Sequence, residues 1–77
     1  MSHSNMNDDE LHAALLLLGF VANPQAYTDY TWAVNKNDIL IGKNKHFKCR
    51  YDIYVLGAGS NTFETAAATM EYMEKHL

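Results

Sequence analysis

The strongest constraint on the fold of this chain is a run of ten residues in which apolar and polar side chains alternate. From position 46 to 55 the odd positions hold Phe47, Cys49, Tyr51, Ile53 and Val55, and the even positions hold His46, Lys48, Arg50, Asp52 and Tyr54. Successive side chains of a β-strand point to opposite faces of the sheet, so this pattern predicts a strand with one face on a core and the other in water. The rest of the chain then has to cover one face of that strand.

Two segments earlier in the chain also predict strands. Residues 28–34 alternate in polarity, with Tyr30 and Trp32 on the same face, and residues 39–41 form a short apolar run. The segments that separate the strands are rich in Asn, Lys and Asp, and Asn and Asp in particular favour turns. Because short turns join antiparallel neighbours, we expect the three strands to form an antiparallel meander.

A helix is predicted over residues 8–18. Asn7 and Glu10 have the spacing of a capping box at its start. The apolar residues that follow recur at helical spacing, at Leu11, Ala14, Leu15 and Leu18. Gly19 can adopt the left-handed conformation that ends a helix. Residues 1–6 are small and polar apart from the methionines and are expected to form a disordered lead-in.

A second helix is predicted at the other end of the chain. Asn61 and Glu64 repeat the capping-box spacing. The stripe of core residues in this helix consists of Phe63, Ala66, Ala67, Met70, Met73 and Leu77. The order α-β-β-β-α predicts a single α+β domain over residues 7–77, a three-stranded antiparallel meander with both helices packed on one face. The opposite face of the sheet is expected to be open to solvent.

Composition restricts the class of protein. Seventy-seven residues, 48% of them hydrophobic and 19% charged, suit one small globular domain rather than a disordered chain. The single cysteine, Cys49, excludes an internal disulfide and suits a reducing compartment, so a cytoplasmic location is expected. The longest apolar stretch, residues 13–22, is too short to span a bilayer. A net charge of −3 argues against binding of nucleic acid over the whole surface.

The residues that could carry catalysis or bind a metal ion are not in recognisable arrangements. His46 and Cys49 are close in sequence, but on a strand they would point to opposite faces and could not form a catalytic dyad. The four histidines have no paired ligand spacing. Asp8, Asp9 and Glu10 suit the positive end of a helix dipole as well as a loosely held cation. We therefore expect a protein that is not an enzyme and that uses no metal and no cofactor.

A glycine-rich segment follows the alternating strand and is predicted to open the last helix. Its first positions resemble a G-x-G-x-x-G fingerprint, with Thr62 in place of the last glycine. Dinucleotide binding would also need a second parallel strand after the helix, and is excluded. The backbone amides of Gly57, Gly59, Ser60 and Thr62 could still hold an anion at the start of the helix. A plain turn from strand to helix is the alternative.

Positive charge is concentrated in one part of the chain. Five of the six Lys and Arg residues lie between positions 36 and 50, where only Asp38 opposes them. The predicted open face and the turn beside it carry Lys43, Lys45, His46, Lys48, Arg50 and Tyr54. Such a surface could neutralise phosphates and stack on bases. Alternatively, the lysines only keep an exposed strand soluble.

The order of the elements and the small residues of the last helix resemble two known families. Three successive alanines precede a Tyr-Met pair between Thr62 and Met73, and with the α-β-β-β-α order this resembles the double-stranded-RNA-binding domain. The stretch from Tyr51 to Tyr72 is also similar to the arm-binding domains of phage integrases. Both resemblances imply nucleic-acid binding. This chain departs from the first family in residues 61–65, where a lysine cluster is absent, and in its acidic residues 8–10, which leaves the basic sheet face as the route to nucleic acid.

Apolar residues outside the core stripes favour an interaction module. Leu16 and Leu17 lie off the stripe of the first helix, and Tyr54 lies on the predicted open face. Such residues are common at protein interfaces. We interpret the chain as a small cytosolic module that binds and modulates another protein, as accessory proteins of phages and mobile elements do. A homodimer sealed by the leucines would also suit so small a core, and binding of nucleic acid through Lys48 and Arg50 is the alternative function.

Overall fold

The computed structural model describes residues 5–22 and 29–77, and in these it has an antiparallel sheet of five strands with two helices. The elements in chain order are α1 (Asp8–Leu17), β1 (Val21–Ala22), β2 (Tyr30–Lys36), β3 (Ile39–Asn44), β4 (Tyr51–Val55), β5 (Gly59–Phe63) and α2 (Ala66–His76). The strands lie in the sheet in this same order, each antiparallel to the next. The α+β class is confirmed, whereas the sheet has five strands among the described residues and the sequence pattern predicts three.

Helix α1 begins with the predicted capping box. The Asn7 side chain accepts a hydrogen bond from the Glu10 amide, and the Glu10 carboxylate accepts one from the Asn7 amide, each at 2.9 Å. The helix ends at Gly19, whose φ of 96° lies in the left-handed region, and the Phe20 amide donates to the Leu15 carbonyl at 3.0 Å. These local contacts satisfy backbone groups that a free helix end would leave unpaired.

The two helices cover the same face of the sheet, as predicted. The core consists of Leu11 and Leu15 from α1, Phe20, Val34, Ile41, Tyr51 and Ile53 around and within the sheet, and Ala66, Met70 and Met73 from α2. Strand register explains the grouping, because Val34 lies opposite Ile41 and Ile41 lies opposite Ile53. Met6, which falls in the predicted lead-in, packs against this core.

Hydrogen bonds and ring stacking connect the first half of α1 to the sheet. The Trp32 indole donates to both carboxylate oxygens of Asp8, at 3.1 and 3.2 Å, and its ring stacks on His12 with 4.5 Å between ring centres. Burial, and secondarily the charge of Asp8 and a hydrogen bond to it, raise the pKa of Tyr51 to about 12. Asp8 therefore has a structural role beyond the helix dipole.

The predicted third strand is half as long as the alternation indicates. It begins at Tyr51, and residues 45–49 form a bent loop in which Cys49 and Phe47 are exposed, so the predicted core position of both side chains is wrong. The Asn44 amide donates to the Arg50 carbonyl at 2.9 Å and closes the loop. The pairing of β3 with β4 ends before these residues, so alternation alone does not make them a strand.

A second correction concerns the segment before α2. Residues 59–63 form β5, which pairs along the whole of β4, from Val55 opposite Gly59 to Tyr51 opposite Phe63. Helix α2 begins later than predicted, with Thr65 as its N-cap, whose hydroxyl accepts from the Ala68 amide at 3.0 Å. The predicted cap at Asn61 is wrong because sheet pairing outweighs the local capping signal.

The remaining predictions concern the ends and the link between β1 and β2. The predicted start of the first strand at residue 28 and residues 1–4 of the predicted lead-in lie outside the described residues. Strand β1, which the sequence pattern does not predict, pairs Val21 with Asn35 at one edge of the sheet. Within the described part of the chain, neither helix has the length and apolar character needed to cross a membrane.

Candidate docking groove on the open sheet face

The face of the sheet turned away from the helices carries two rows of side chains. One row contains Leu40, Tyr54 and Ser60, and the other contains Gly42, Asp52 and Thr62, each row running across β3, β4 and β5. We call this surface the open face. On β4, Asp52 and Tyr54 lie on the open face because Tyr51 and Ile53 occupy the core side, as the predicted alternation requires.

A buried carboxylate organises the open face. Asp52 is 9% exposed and accepts three hydrogen bonds, from the Tyr30 hydroxyl at 2.8 Å, the Thr62 hydroxyl at 3.2 Å and the Arg50 guanidinium at 3.3 Å. Arg50 also compensates its charge. The donors come from β2, β5 and the residue before β4. This carboxylate on β4 therefore connects β2 and β5, which are not neighbours in the sheet.

Tyr30 reaches Asp52 because strand β2 is irregular. Tyr30 pairs with Asn44 whereas Trp32 pairs with Lys43, so the register shifts between them and the two rings lie on opposite faces instead of sharing one. The Tyr30 ring lies on Gly42, where an added Cβ would be 2.6 Å from Tyr30 Cδ1. Burial first, then the hydrogen bond to Asp52 and its charge, raise the pKa of Tyr30 to about 12. The hydroxyl donates to Asp52 and keeps its proton to a higher pH than an ordinary tyrosine.

Beside this network the open face forms a groove of about 540 Å³. We call it the docking groove. Its apolar part is formed by Leu40, Tyr54 and Leu56, of which Tyr54 is 43% and Leu56 is 63% exposed. Asn35, Asn37 and Asp38 from the β2–β3 hairpin provide polar groups at one end. Such a volume is in the range of ligand and side-chain binding sites.

The end of the docking groove is held by backbone contacts. The Leu56 amide donates to the Asp38 carbonyl at 2.9 Å, which joins the turn after β4 to the turn after β2. The Ala58 amide donates to the Val55 carbonyl at 2.9 Å and closes the β4–β5 turn. The apolar rim is therefore preformed, which reduces the entropy that a binding partner would have to overcome.

The predicted basic face is wrong in its geometry. Lys45, His46 and Lys48 lie in the loop between β3 and β4 and not on the sheet. Lys43 lies on the helix side, where its ammonium is 5.0 Å from the centre of the Tyr51 ring and donates to the Lys48 carbonyl at 3.2 Å. Of the predicted group, Tyr54 lies on the open face and Arg50 borders it through Asp52.

The leucines of α1 lie apart from the docking groove. Leu16 and Leu17 are exposed, Leu17 at 88%, and Leu18, which the helical stripe predicts to be buried, is exposed as well. Helix α1 packs on the other face of the sheet. These side chains and the groove are therefore separate surfaces.

The predicted anion site does not have the geometry it requires. Gly57, Gly59 and Ser60 belong to the β4–β5 turn and the start of β5, and Thr62 lies within β5. Their amides therefore do not point from a helix N-terminus, since α2 begins only at Ala66. Thr62 instead donates its hydroxyl to Asp52, and Ser60 lines the docking groove.

Sequence reasoning missed three members of the open face. The alternation places Asp52 correctly, but it gives Leu40 no role, and the contact of Thr62 with Asp52 depends on β5. The alternation also predicts that Tyr30 shares a face with Trp32, and the register shift between them makes this wrong. Asp52 occupies a polar position of the alternation, where a solvated carboxylate is equally expected, so the sequence pattern alone does not indicate the network.

In residues 5–22 and 29–77, no three His, Cys, Asp or Glu side chains are grouped so that they could hold a metal ion. The resemblances to RNA-binding and integrase domains remain expectations. No protein-family model matches the chain, and no curated protein and no solved structure matches it significantly.

Proposed function

We propose that this protein is a small, non-enzymatic cytosolic module that binds another protein through the docking groove, as accessory proteins of phages and mobile elements do. The observation that carries the proposal is the preformed groove of about 540 Å³, rimmed by exposed Leu56 and Tyr54 above a hydrogen-bonded floor.

The chemistry of the rim favours a protein side chain as the group that enters. Tyr54 offers both an apolar ring and a hydroxyl, and tyrosine is enriched where interfaces have their strongest contacts. Leu40 and Leu56 lie beside it, so an apolar side chain of the partner would be surrounded on several sides. Water displaced from these three residues would favour association.

Charge indicates what lies next to that apolar side chain. The charged residues that line the docking groove are Asp38 and Asp52, and Arg50 compensates only Asp52. Asp38 is exposed in the β2–β3 turn. We therefore expect the partner to present an apolar residue flanked by Lys or Arg, which meets Asp38 and gives orientation and specificity.

The test begins with the full chain carrying a photo-crosslinking phenylalanine analogue in place of Tyr54, and in a parallel sample in place of Leu17. A protein that crosslinks to the analogue at position 54 and not to the analogue at position 17 is then purified. Its affinity for the full chain is measured by calorimetry. Leu56→Glu should weaken binding by about tenfold or more, as at interface hot spots. Asp38→Asn should reduce the salt dependence of binding. Leu17→Glu, the matched control on α1, should leave the affinity unchanged.

Three outcomes would contradict the proposal. The first is equal weakening by Leu56→Glu and Leu17→Glu, which would indicate a general effect of added charge. The second is a purified partner whose affinity depends on Leu17 alone. The third is a crosslink from Tyr54 to a second copy of the chain only, which would make the docking groove a homodimer interface.

A further inference from the structure

The loop between β3 and β4 concentrates positive charge at the end of the sheet away from the β2–β3 and β4–β5 turns. Residues 43–50 contain four of the six Lys and Arg residues and none of the nine Asp and Glu residues, so the rest of the chain carries a net charge of −7. Asp52 reaches Arg50, and Asp29 lies 3.2 Å from His46. Among the described residues, Lys45 and Lys48 have no acidic partner.

This loop also exposes an aromatic ring. Phe47 is 55% exposed and does not belong to the core. The Arg50 guanidinium lies 5.0 Å from the centre of its ring. An exposed phenylalanine flanked by cations offers both a stacking surface and charge, a combination that solubility alone does not require.

The loop is held in place by contacts of its own. The buried Asn44 side chain accepts from the His46 amide at 2.8 Å, and the Lys43 ammonium donates to the Lys48 carbonyl at 3.2 Å. The Lys45 amide donates to the Asp29 carbonyl at 3.0 Å. Phe47 and the lysines are thus presented on an ordered backbone, so less entropy is lost when they bind.

We propose that this loop binds single-stranded nucleic acid, with Lys45 and Lys48 contacting phosphates and a base stacking on Phe47. An unpaired base is required because the faces of bases in a duplex are already stacked. The negative charge elsewhere on the chain would also repel a long duplex. This activity does not require an occupied docking groove, although Arg50 contacts both the Phe47 ring and the groove residue Asp52.

The test measures fluorescence anisotropy of a labelled oligothymidylate or oligouridylate of about 12 nucleotides, which is within known site sizes. The full chain should bind in low salt, more strongly than it binds a duplex of equal length. Phe47→Ala should weaken binding by about 5- to 150-fold, the range for one stacked base, and Phe47→Trp should retain it. Lys45→Gln with Lys48→Gln should reduce the slope of log K against log salt by about 1.4.

Lys75→Gln serves as the matched control, because Lys75 is exposed at the far end of α2. It should change neither affinity nor slope. Circular dichroism of each variant verifies folding, and Phe47 is outside the core, so its replacement should leave the fold intact. The proposal is overturned if the unmodified chain binds neither oligonucleotide in low salt, or if Phe47→Ala binds with unchanged affinity. It is also overturned if Lys75→Gln and the double variant change the affinity and the salt slope equally. Tighter Phe47-dependent binding to phosphatidylserine vesicles than to the oligonucleotides would also overturn it.

Discussion

Replacement of Tyr30 by phenylalanine tests the network around Asp52 with the loss of a single oxygen. The ring stays on Gly42, and the hydroxyl that donates to Asp52 at 2.8 Å is removed. Hydrogen bonds to charged groups contribute about 1.5–3 kcal/mol, and Tyr30 is only half-buried, so we expect a loss of about 1.5 kcal/mol in the free energy of unfolding. For a domain of this size that corresponds to a fall in Tm of about 6–12 °C.

The same variant has a distinct pH dependence. The pKa of Tyr30 is raised from 10.0 to about 12 in the folded protein, because burial and Asp52 favour the neutral hydroxyl. The stability due to this shift is fully present below pH 10 and is lost as the pH rises through about 12, because the unfolded chain releases the proton first. Tyr30→Phe lacks this loss. The difference in stability between the two proteins should therefore shrink across that window, while Tyr51 titrates in both.

Urea unfolding followed by circular dichroism, at neutral pH and at several points between pH 10 and 12, measures both effects. Tyr72→Phe is the matched control, because the Tyr72 hydroxyl accepts one exposed hydrogen bond from Asn61 at 3.1 Å. Its effect should stay within about 0.5 kcal/mol. Equal stability of Tyr30→Phe and the unmodified protein at neutral pH would refute the contact with Asp52. If the difference in stability between Tyr30→Phe and the unmodified protein stays constant through alkaline pH, the cause assigned to the raised pKa of Tyr30 is refuted.

Two further predictions concern packing. Gly42→Ala places a Cβ 2.6 Å from the Tyr30 ring, so we expect a loss of about 1–3 kcal/mol in stability and an altered near-ultraviolet circular dichroism spectrum. An unchanged Tm would mean that the ring moves aside freely. Leu15→Ala removes a fully buried side chain and should cost about 2–5 kcal/mol in urea unfolding. Leu17→Ala, at 88% exposure on the same helix, should cost less than about 0.5 kcal/mol, and similar losses for both would contradict the assigned buried face of α1.

Features governed by neighbours in sequence were predictable. The capping box of Asn7 and Glu10 and the left-handed Gly19 involve residues within one helical turn, and both are present. Alternation also placed Tyr51 and Ile53 on the core side of β4. These signals are reliable because the geometry of a turn or a strand determines them directly.

Features that depend on distant pairing were not predictable. The run that predicts a ten-residue strand continues through the loop at residues 45–49, although β3 offers no partner there. The segment that becomes β5 carries a stronger local signal for a helix cap than for a strand. In the candidate site, Asp52 was placed on the correct face, but the register shift that brings Tyr30 to it has no local mark in the sequence.

The order of the strands has a consequence for how the chain folds. Each strand pairs with the one next to it in sequence, so the sheet needs no pairing between strands that are remote in the chain. Pairing between neighbours in sequence keeps the entropy lost on loop closure small. The core is different, because Met70 and Met73 reach it from α2, which follows all five strands of the described sheet. The hairpins can thus assemble progressively, while exclusion of water from the interior is completed only when this last helix docks.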